Sequence, residues 1–275
     1  QIFFIKRILI KMLLHKIYRR IKLLISRYVR SRKYGLFFFS AKYFKVPKKI
    51  KLSNKIIDLN LPNEKNMKVI FTEIFLDDTY KLEWIKNFSK EKGIKIKSIL
   101  DIGGNCGLTS MLSRQYFPES TIHCYEPNIY IEKYLKPNSK IANFKYFLEA
   151  VGANAGMVKL NIDTDQSVLS SISFDKLGTT IQVSFEEVLE RFGKNTVDIV
   201  KMDCEGSEWE ILDKVDLWKN IKFITMEYHL GMDNYDHKRI TDALEKVGFQ
   251  VVSEIENSKD CNYGIAVACN KSILI

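Results

Sequence analysis

The residues with the clearest chemical purpose lie between Lys97 and Ser110. There the run Ser98-Ile99-Leu100-Asp101-Ile102 leads into Gly103-Gly104-Asn105-Cys106-Gly107 and then Leu108-Thr109-Ser110. The pattern predicts a buried strand, a glycine-rich turn and a helix start. Glycines allow positive φ and let a ligand approach the backbone closely, and a helix start adds N–H groups without intrahelical partners. The expected ligand is nucleotide-like. A dinucleotide fingerprint needs G-x-G-x-x-G, but neither Gly103 nor Gly104 has a glycine two positions on, and the spacing is D-x-G-x-x-x-G. Glu126 closes the next apolar run, Thr121-Ile122-His123-Cys124-Tyr125. That is where a doubly wound fold delivers a carboxylate to a ribose, about twenty residues after the turn.

Strand-like runs near 98–102, 121–126, 144–151, 157–162, 197–203, 221–228, 249–255 and 263–269 alternate with helical spacing at 108–116, 184–187, 208–215 and 236–247. Such alternation predicts an α/β domain with a doubly wound, mostly parallel, Rossmann-like sheet. Ligands bind beyond the carboxyl ends of strands in these sheets. The polar groups at those ends are Asp101 and Gly103, Glu126, Glu149, Asp203 with Glu205, and Glu227 with His229. One crevice is expected to collect several carboxylates and one imidazole. His229 is the expected general base, because an imidazole with an unperturbed pKa of about 6.5 is both neutral and basic near neutral pH. A divalent metal on Asp203 and Glu205 is the weaker alternative, since no third ligand is evident, and no metal site is expected.

The D-x-G-x-x-x-G turn resembles motif I of class I S-adenosylmethionine-dependent methyltransferases. The turn from Asp101 to Gly107, Tyr125-Glu126-Pro127-Asn128, Ala150-Val151-Gly152, the segment from Lys201 to Leu212 and Met226-Glu227-Tyr228-His229 together resemble the FkbM family of such enzymes. Lys-x-Asp-x-Glu-Gly is the most specific of these pieces. The resemblance spans about residues 96 to 270 and implies O-methylation of a hydroxyl on a glycan, a lipid-linked sugar or another small molecule, with S-adenosylmethionine as cofactor. It departs from the family in having Gly104 where alanine is usual and Cys106 in the turn. The expected cofactor-binding residues are Asp101, Gly103, Gly104, Asn105, Gly107, Glu126, Glu149 and Asp203. The expected catalytic residues are Asp203, Glu205 and His229.

The elements that must position these groups form an expected Rossmann-like domain over 96–275, a lead-in or substrate-side segment over 51–95, and a basic extension over 1–50. The net charge is +10, with 43 Lys and Arg against 33 Asp and Glu. Residues 1–50 hold fifteen of the basic groups and none of the acidic ones, so the remainder has 28 basic and 33 acidic residues and a net charge of −5. This asymmetry argues against a uniformly basic nucleic-acid enzyme and for a local anionic partner of the extension. Ile5, Ile8, Leu9, Met12, Leu13, Ile17, Ile21, Leu24 and Tyr28 recur at helical steps, and charges interrupt every run short of the roughly 18 apolar residues of a membrane span. Residues 5–30 are expected to lie as an amphipathic helix on an anionic membrane surface, or to pack on protein. The rival functional readings are an RNA methyltransferase and a catalytically silent, partner- or membrane-binding scaffold. Five cysteines with no C-x-x-C spacing are expected to be reduced thiols in a cytoplasmic protein held peripherally at the membrane's inner face.

Overall fold

The computed structural model describes residues 2–64, 66–162, 170–174, 178–193, 196–204, 206–230, 238–256 and 263–274. Helix α1 (Ile2–Lys33) precedes a small hairpin, β1 (Lys49–Leu52) and β2 (Lys55–Asp58). Next come α2 (Met67–Phe71), a π-helical turn (Thr72–Asp77) and α3 (Leu82–Glu91). The main domain runs β3 (Ser98–Ile102), α4 (Leu108–Tyr116), β4 (Thr121–Tyr125), α5 (Glu132–Ala142), β5 (Lys145–Phe147), β6 (Ala150–Gly152), β7 (Gly156–Ile162), β8 (Ser170–Phe174), β9 (Thr180–Ser184) and α6 (Phe185–Glu190). It finishes with β10 (Ile199–Met202), α7 (Glu208–Leu212), β11 (Phe223–His229), α8 (Lys238–Lys246), β12 (Phe249–Glu256) and β13 (Tyr263–Asn270).

The expected doubly wound α/β sheet is present, seven strands in the order β12-β13-β11-β10-β3-β4-β5. Strands β5, β4, β3, β10 and β11 are parallel, and β13 runs antiparallel between β11 and β12. Every residue of β3 is buried. Ile99 belongs to the apolar cluster on one face and Leu100 and Ile102 to the cluster on the other, as the two-residue period of a strand covered on both sides requires. The chain builds outward from β3 to β4 and β5, then crosses back to β10 and β11. The strand order therefore reverses between β3 and β10, and a crevice opens above their carboxyl ends.

The run 144–151 reads as one strand in the sequence but is two in the fold. β5 pairs with β4 only as far as Phe147 opposite Tyr125. There the ladder closes with the Glu126 N–H donating to the Phe147 carbonyl, and no neighbour remains for the chain to follow. Residues 150–152 pair instead with β9, in a separate four-stranded sheet of order β6-β9-β7-β8.

The lead-in segment packs Phe71, Phe75 and Ile85 into the same cluster as Ile99 and Met111. Its π turn is closed by the Asp78 N–H donating to the Glu73 carbonyl. Asp78 then caps α3, its two carboxylate oxygens accepting from the Leu82 and Glu83 N–H groups at 2.9 and 3.2 Å. Helix α1 is held to this segment near its C-terminal end. Arg27 grips Asp77 through two bonds of 2.6 and 2.7 Å, and Arg30 meets Glu83 at 2.8 Å.

Candidate functional site

The turn after β3 is held by a buried lysine. Lys201 lies beside Asp101 in the β10–β3 register. Its Nζ donates to the carbonyls of Ile102 and Gly103 at 3.2 and 2.7 Å, and it sits 3.4 Å from Asp101 Oδ1 and 3.6 Å from Asp203 Oδ2. Asp101 is fully buried, and its other oxygen accepts from Ser110 at 2.6 Å. Two carboxylates around one ammonium make the burial of Lys201 and Asp101 tolerable. Asp101 thus braces the turn from beneath and does not face the cavity.

The glycines serve the protein's own packing more directly than expected. A Cβ on Gly103 would collide with the carbonyl of Asp203, one on Gly104 with the Cys124 sulfur, and one on Gly107 with Phe144. Gly103 and Gly107 also have φ of +71° and +86°, which side chains disfavour. The N–H groups of the turn are likewise engaged. Those of Gly103 and Gly104 donate to the Tyr125 carbonyl, that of Asn105 to Glu126 Oε2, that of Cys106 to the Asn105 side chain, and that of Gly107 to Gly104. Between 103 and 107 these N–H groups hold the turn and the Glu126 carboxylate in place.

Above the reversal point lies a cavity of about 860 Å³, towards the large end of small-molecule sites. Gly103, Gly104, Asn105, Glu126, Glu149 and Asp203 line it. Asp101 and Gly107 lie behind it, and Glu205 falls outside the described residues. Glu126 is buried, with Oε2 held by the Asn105 N–H and Oε1 by the Asn128 N–H, both at 2.8 Å. Glu149 is paired with Arg191 at 2.5 Å, which also binds Glu187. Asp203 accepts from the Tyr80 hydroxyl at 3.0 Å.

Glu227, not His229, lines the cavity at the end of β11. His229 Nε2 lies 3.5 Å from Glu227 Oε1, and its Nδ1 lies 3.1 Å from Oε1 of the buried Glu208. The other Glu208 oxygen accepts from the Gly206 N–H at 2.9 Å. The imidazole is therefore bracketed by two carboxylates, one facing the cavity and one in the core. Among the described residues no group of three or more His, Cys, Asp and Glu could hold a metal ion.

Burial raises the pKa of several of these carboxyls. Desolvation pushes Glu126 up to about 7 against the pull of its two N–H donors, and desolvation with the nearby Glu227, Asp77 and Asp203 brings Glu73 to about 7. Glu227 is raised chiefly by desolvation, and Asp78 is raised to about 6 for the same reason. With folded values above the unfolded ones, the native state binds more protons between about pH 4.5 and 7, so these groups lose stability for the fold as pH rises through that window. We expect the ligand-free protein to melt several degrees higher at pH 5.5 than at pH 8, with Glu126 alone contributing about 2 kcal/mol of the difference. Calorimetry showing no gain on acidification would mean that these carboxyls are hydrated.

A model of the methyltransferase FkbM domain matches residues 89–251, more than half of the chain. The chain belongs to the FkbM methyltransferase domain family. Among solved structures, this methyltransferase is similar to the Methanococcus jannaschii fibrillarin pre-rRNA processing protein (15% identity, 84% of each chain covered, TM-score 0.46). It is also similar to a precorrin-6y C5,15-methyltransferase from Geobacter metallireducens (15%, 68% of this chain and 87% of that one, 0.38). A further likeness is to an O-methyltransferase family protein from Burkholderia thailandensis (9%, 75% and 63%, 0.37). No curated protein matches the chain.

Residues that the sequence reading gave no role also shape the site. Lys201 carried a signal, since a lysine inside the apolar run Val197-Asp198-Ile199-Val200-Lys201-Met202 needs a buried partner. Glu73, Tyr80 and Arg27 line the cavity from the lead-in and α1, outside the matched segment. No local spacing marks them, because only the packing of the lead-in against α1 and α4 brings them there.

Proposed function

We propose that this methyltransferase uses S-adenosylmethionine to methylate a hydroxyl of a polyhydroxylated, sugar-like molecule. The observation that carries the reading is the division of one cavity into two chemical halves. On one side Glu126 has two of its roughly four lone-pair positions filled by backbone N–H groups, which leaves acceptors for a ribose diol. Gly103, Gly104 and Asn105 form the adjoining floor, and Asp203 suits the amine of the methionine end. On the other side Glu73 and Glu227 face the cavity beside the Arg27–Asp77 ion pair. Groups so placed exchange hydrogen bonds with hydroxyls.

When bound, S-adenosylmethionine supplies an electrophilic methyl group, so the chain has to align the substrate oxygen and receive its proton. Glu227 is the cavity-facing group placed to take that proton. His229, with Nδ1–H donated to Glu208, presents Nε2 to Glu227 and serves as the second station, and the Glu208 carboxylate stabilises the resulting imidazolium. Asp203, held by Tyr80 and Lys201, stays on the cofactor side.

Glu126→Ala should weaken binding of S-adenosylmethionine and S-adenosylhomocysteine about ten- to a hundredfold, the loss expected for a charged hydrogen-bonding partner of about 1.5 to 3 kcal/mol. Unchanged affinity by titration calorimetry would remove the cofactor assignment. The substrate class is tested by incubating the protein with isotopically labelled S-adenosylmethionine and a mixed pool of glycans, lipids and RNA. Label in the glycan or glycolipid fraction is the expected outcome. Label confined to RNA would replace this reading with the nucleic-acid one, and no transfer beside intact cofactor binding would favour the silent scaffold.

A further inference from the structure

We propose that α1 and the loop after it form one docking surface for an anionic lipid bilayer, and that this surface turns the mouth of the cavity towards the membrane. In consequence, the hydroxyl to be methylated is carried by a membrane-borne molecule; this last step rests on the function proposed above.

Three observations converge. Leu14, Ile17, Ile21, Leu24 and Tyr28 share one face of α1 at steps of three and four and are 40–59% exposed, so the apolar stripe of this helix is uncovered by the described parts of the chain. Lys16, Arg19, Arg20 and Lys22 stand exposed on the remaining circumference, between the further exposed apolar residues Tyr18, Ile25 and Val29. An apolar face beside a basic one is the pattern of a helix lying in a bilayer interface, and among the described residues no helix is long and apolar enough to cross a membrane.

The stripe also continues past the end of the helix. The Tyr28 ring meets Phe37 edge-on at 5.8 Å, and Phe39 and Tyr43 beyond it are 75% and 70% exposed beside Lys42 and Lys45. Exposed aromatics interleaved with lysines suit the headgroup boundary, where rings bury and ammonium groups reach lipid phosphates.

The surface borders the cavity. Leu23 and Arg27 of α1 line it together with Val69, and Lys68 donates to the Lys42 carbonyl, which joins the aromatic loop to that rim. Charge selects the occupant. Residues 1–50 contain no Asp or Glu, so a second copy pairing along the stripe would set the exposed Arg19 and Arg20 against like charges, whereas an anionic bilayer neutralises them.

The test uses the full chain with phosphatidylserine-containing and pure phosphatidylcholine vesicles. Flotation with the former, weakening as salt is raised, is expected. The double substitution Arg19→Ser, Arg20→Ser should lower partitioning roughly thirtyfold, and Ile17→Glu should also reduce it, with S-adenosylhomocysteine affinity unchanged in both. A fluorophore on Val69→Cys should be quenched by brominated lipid, measured against the unsubstituted chain labelled the same way. No binding to anionic vesicles at low salt, RNA binding in place of vesicle binding, or a solution dimer abolished by Ile17→Glu would each overturn the membrane surface. Vesicle binding without quenching at residue 69 would overturn the orientation of the mouth. Because none of these readouts requires methyl transfer, they fail or succeed independently of the proposed reaction.

Discussion

Lys201→Met should destabilise the fold by about 3–5 kcal/mol, the cost of leaving a buried carboxylate without its counter-charge. The lysine is 3% exposed and stands between Asp101, equally buried, and Asp203, a quarter exposed. Methionine fills a similar volume, so the loss is electrostatic rather than a cavity. It also strips the Ile102 and Gly103 carbonyls of their donor, and the glycine turn loosens with them. The pair Lys201→Met, Asp101→Asn should regain much of the stability at neutral pH, because removing both charges is far less costly than removing one. Urea denaturation of the unsubstituted protein and the two variants checks this. A single-variant loss below about 1 kcal/mol, the level of an exposed pair, would show that water reaches the cluster.

Removing the cavity-facing carboxylate should have the largest effect on turnover. Glu227→Gln keeps the shape of β11 and the hydrogen-bonding capacity of its end, and we expect methyl transfer to fall by a hundredfold or more, the usual range for losing a general base. Cofactor affinity should stay nearly intact. His229→Ala should lower turnover about tenfold and flatten the acidic limb of the pH–rate profile, because Glu227 would lose the imidazole that drains its proton. Glu208→Gln should shift that limb without removing it, since a neutral partner stabilises the imidazolium less. If His229→Ala costs more than Glu227→Gln, the imidazole receives the proton directly and the order of the two groups is reversed.

The amino-acid sequence alone determined the class of sheet, the strand–turn–helix at Asp101–Gly107, the placing of Glu126 and Asp203 at strand ends, and the helical, basic character of the extension. These are local or periodic properties. A strand buried on both faces is apolar throughout, a turn with positive φ calls for glycine, and a helix face repeats at three and four residues. The tertiary structure decided what those features do. The glycines of the turn are required by Asp203, Cys124 and Phe144, which are distant in sequence, and the turn's N–H groups are used by Tyr125 and Glu126 across the neighbouring strand. His229 and Glu227 both end β11, but alternation along a strand sends neighbours two apart to the same side at different depths, and only the packing of Glu208 shows which of them meets the cavity. Glu73 and Tyr80 reach the site through a lead-in whose π turn packs against α1 and α4, and the split of 144–151 follows from β4 ending at Tyr125. Contacts between segments far apart in sequence leave no period in either one, so the energetics of the site became legible only once the chain was folded.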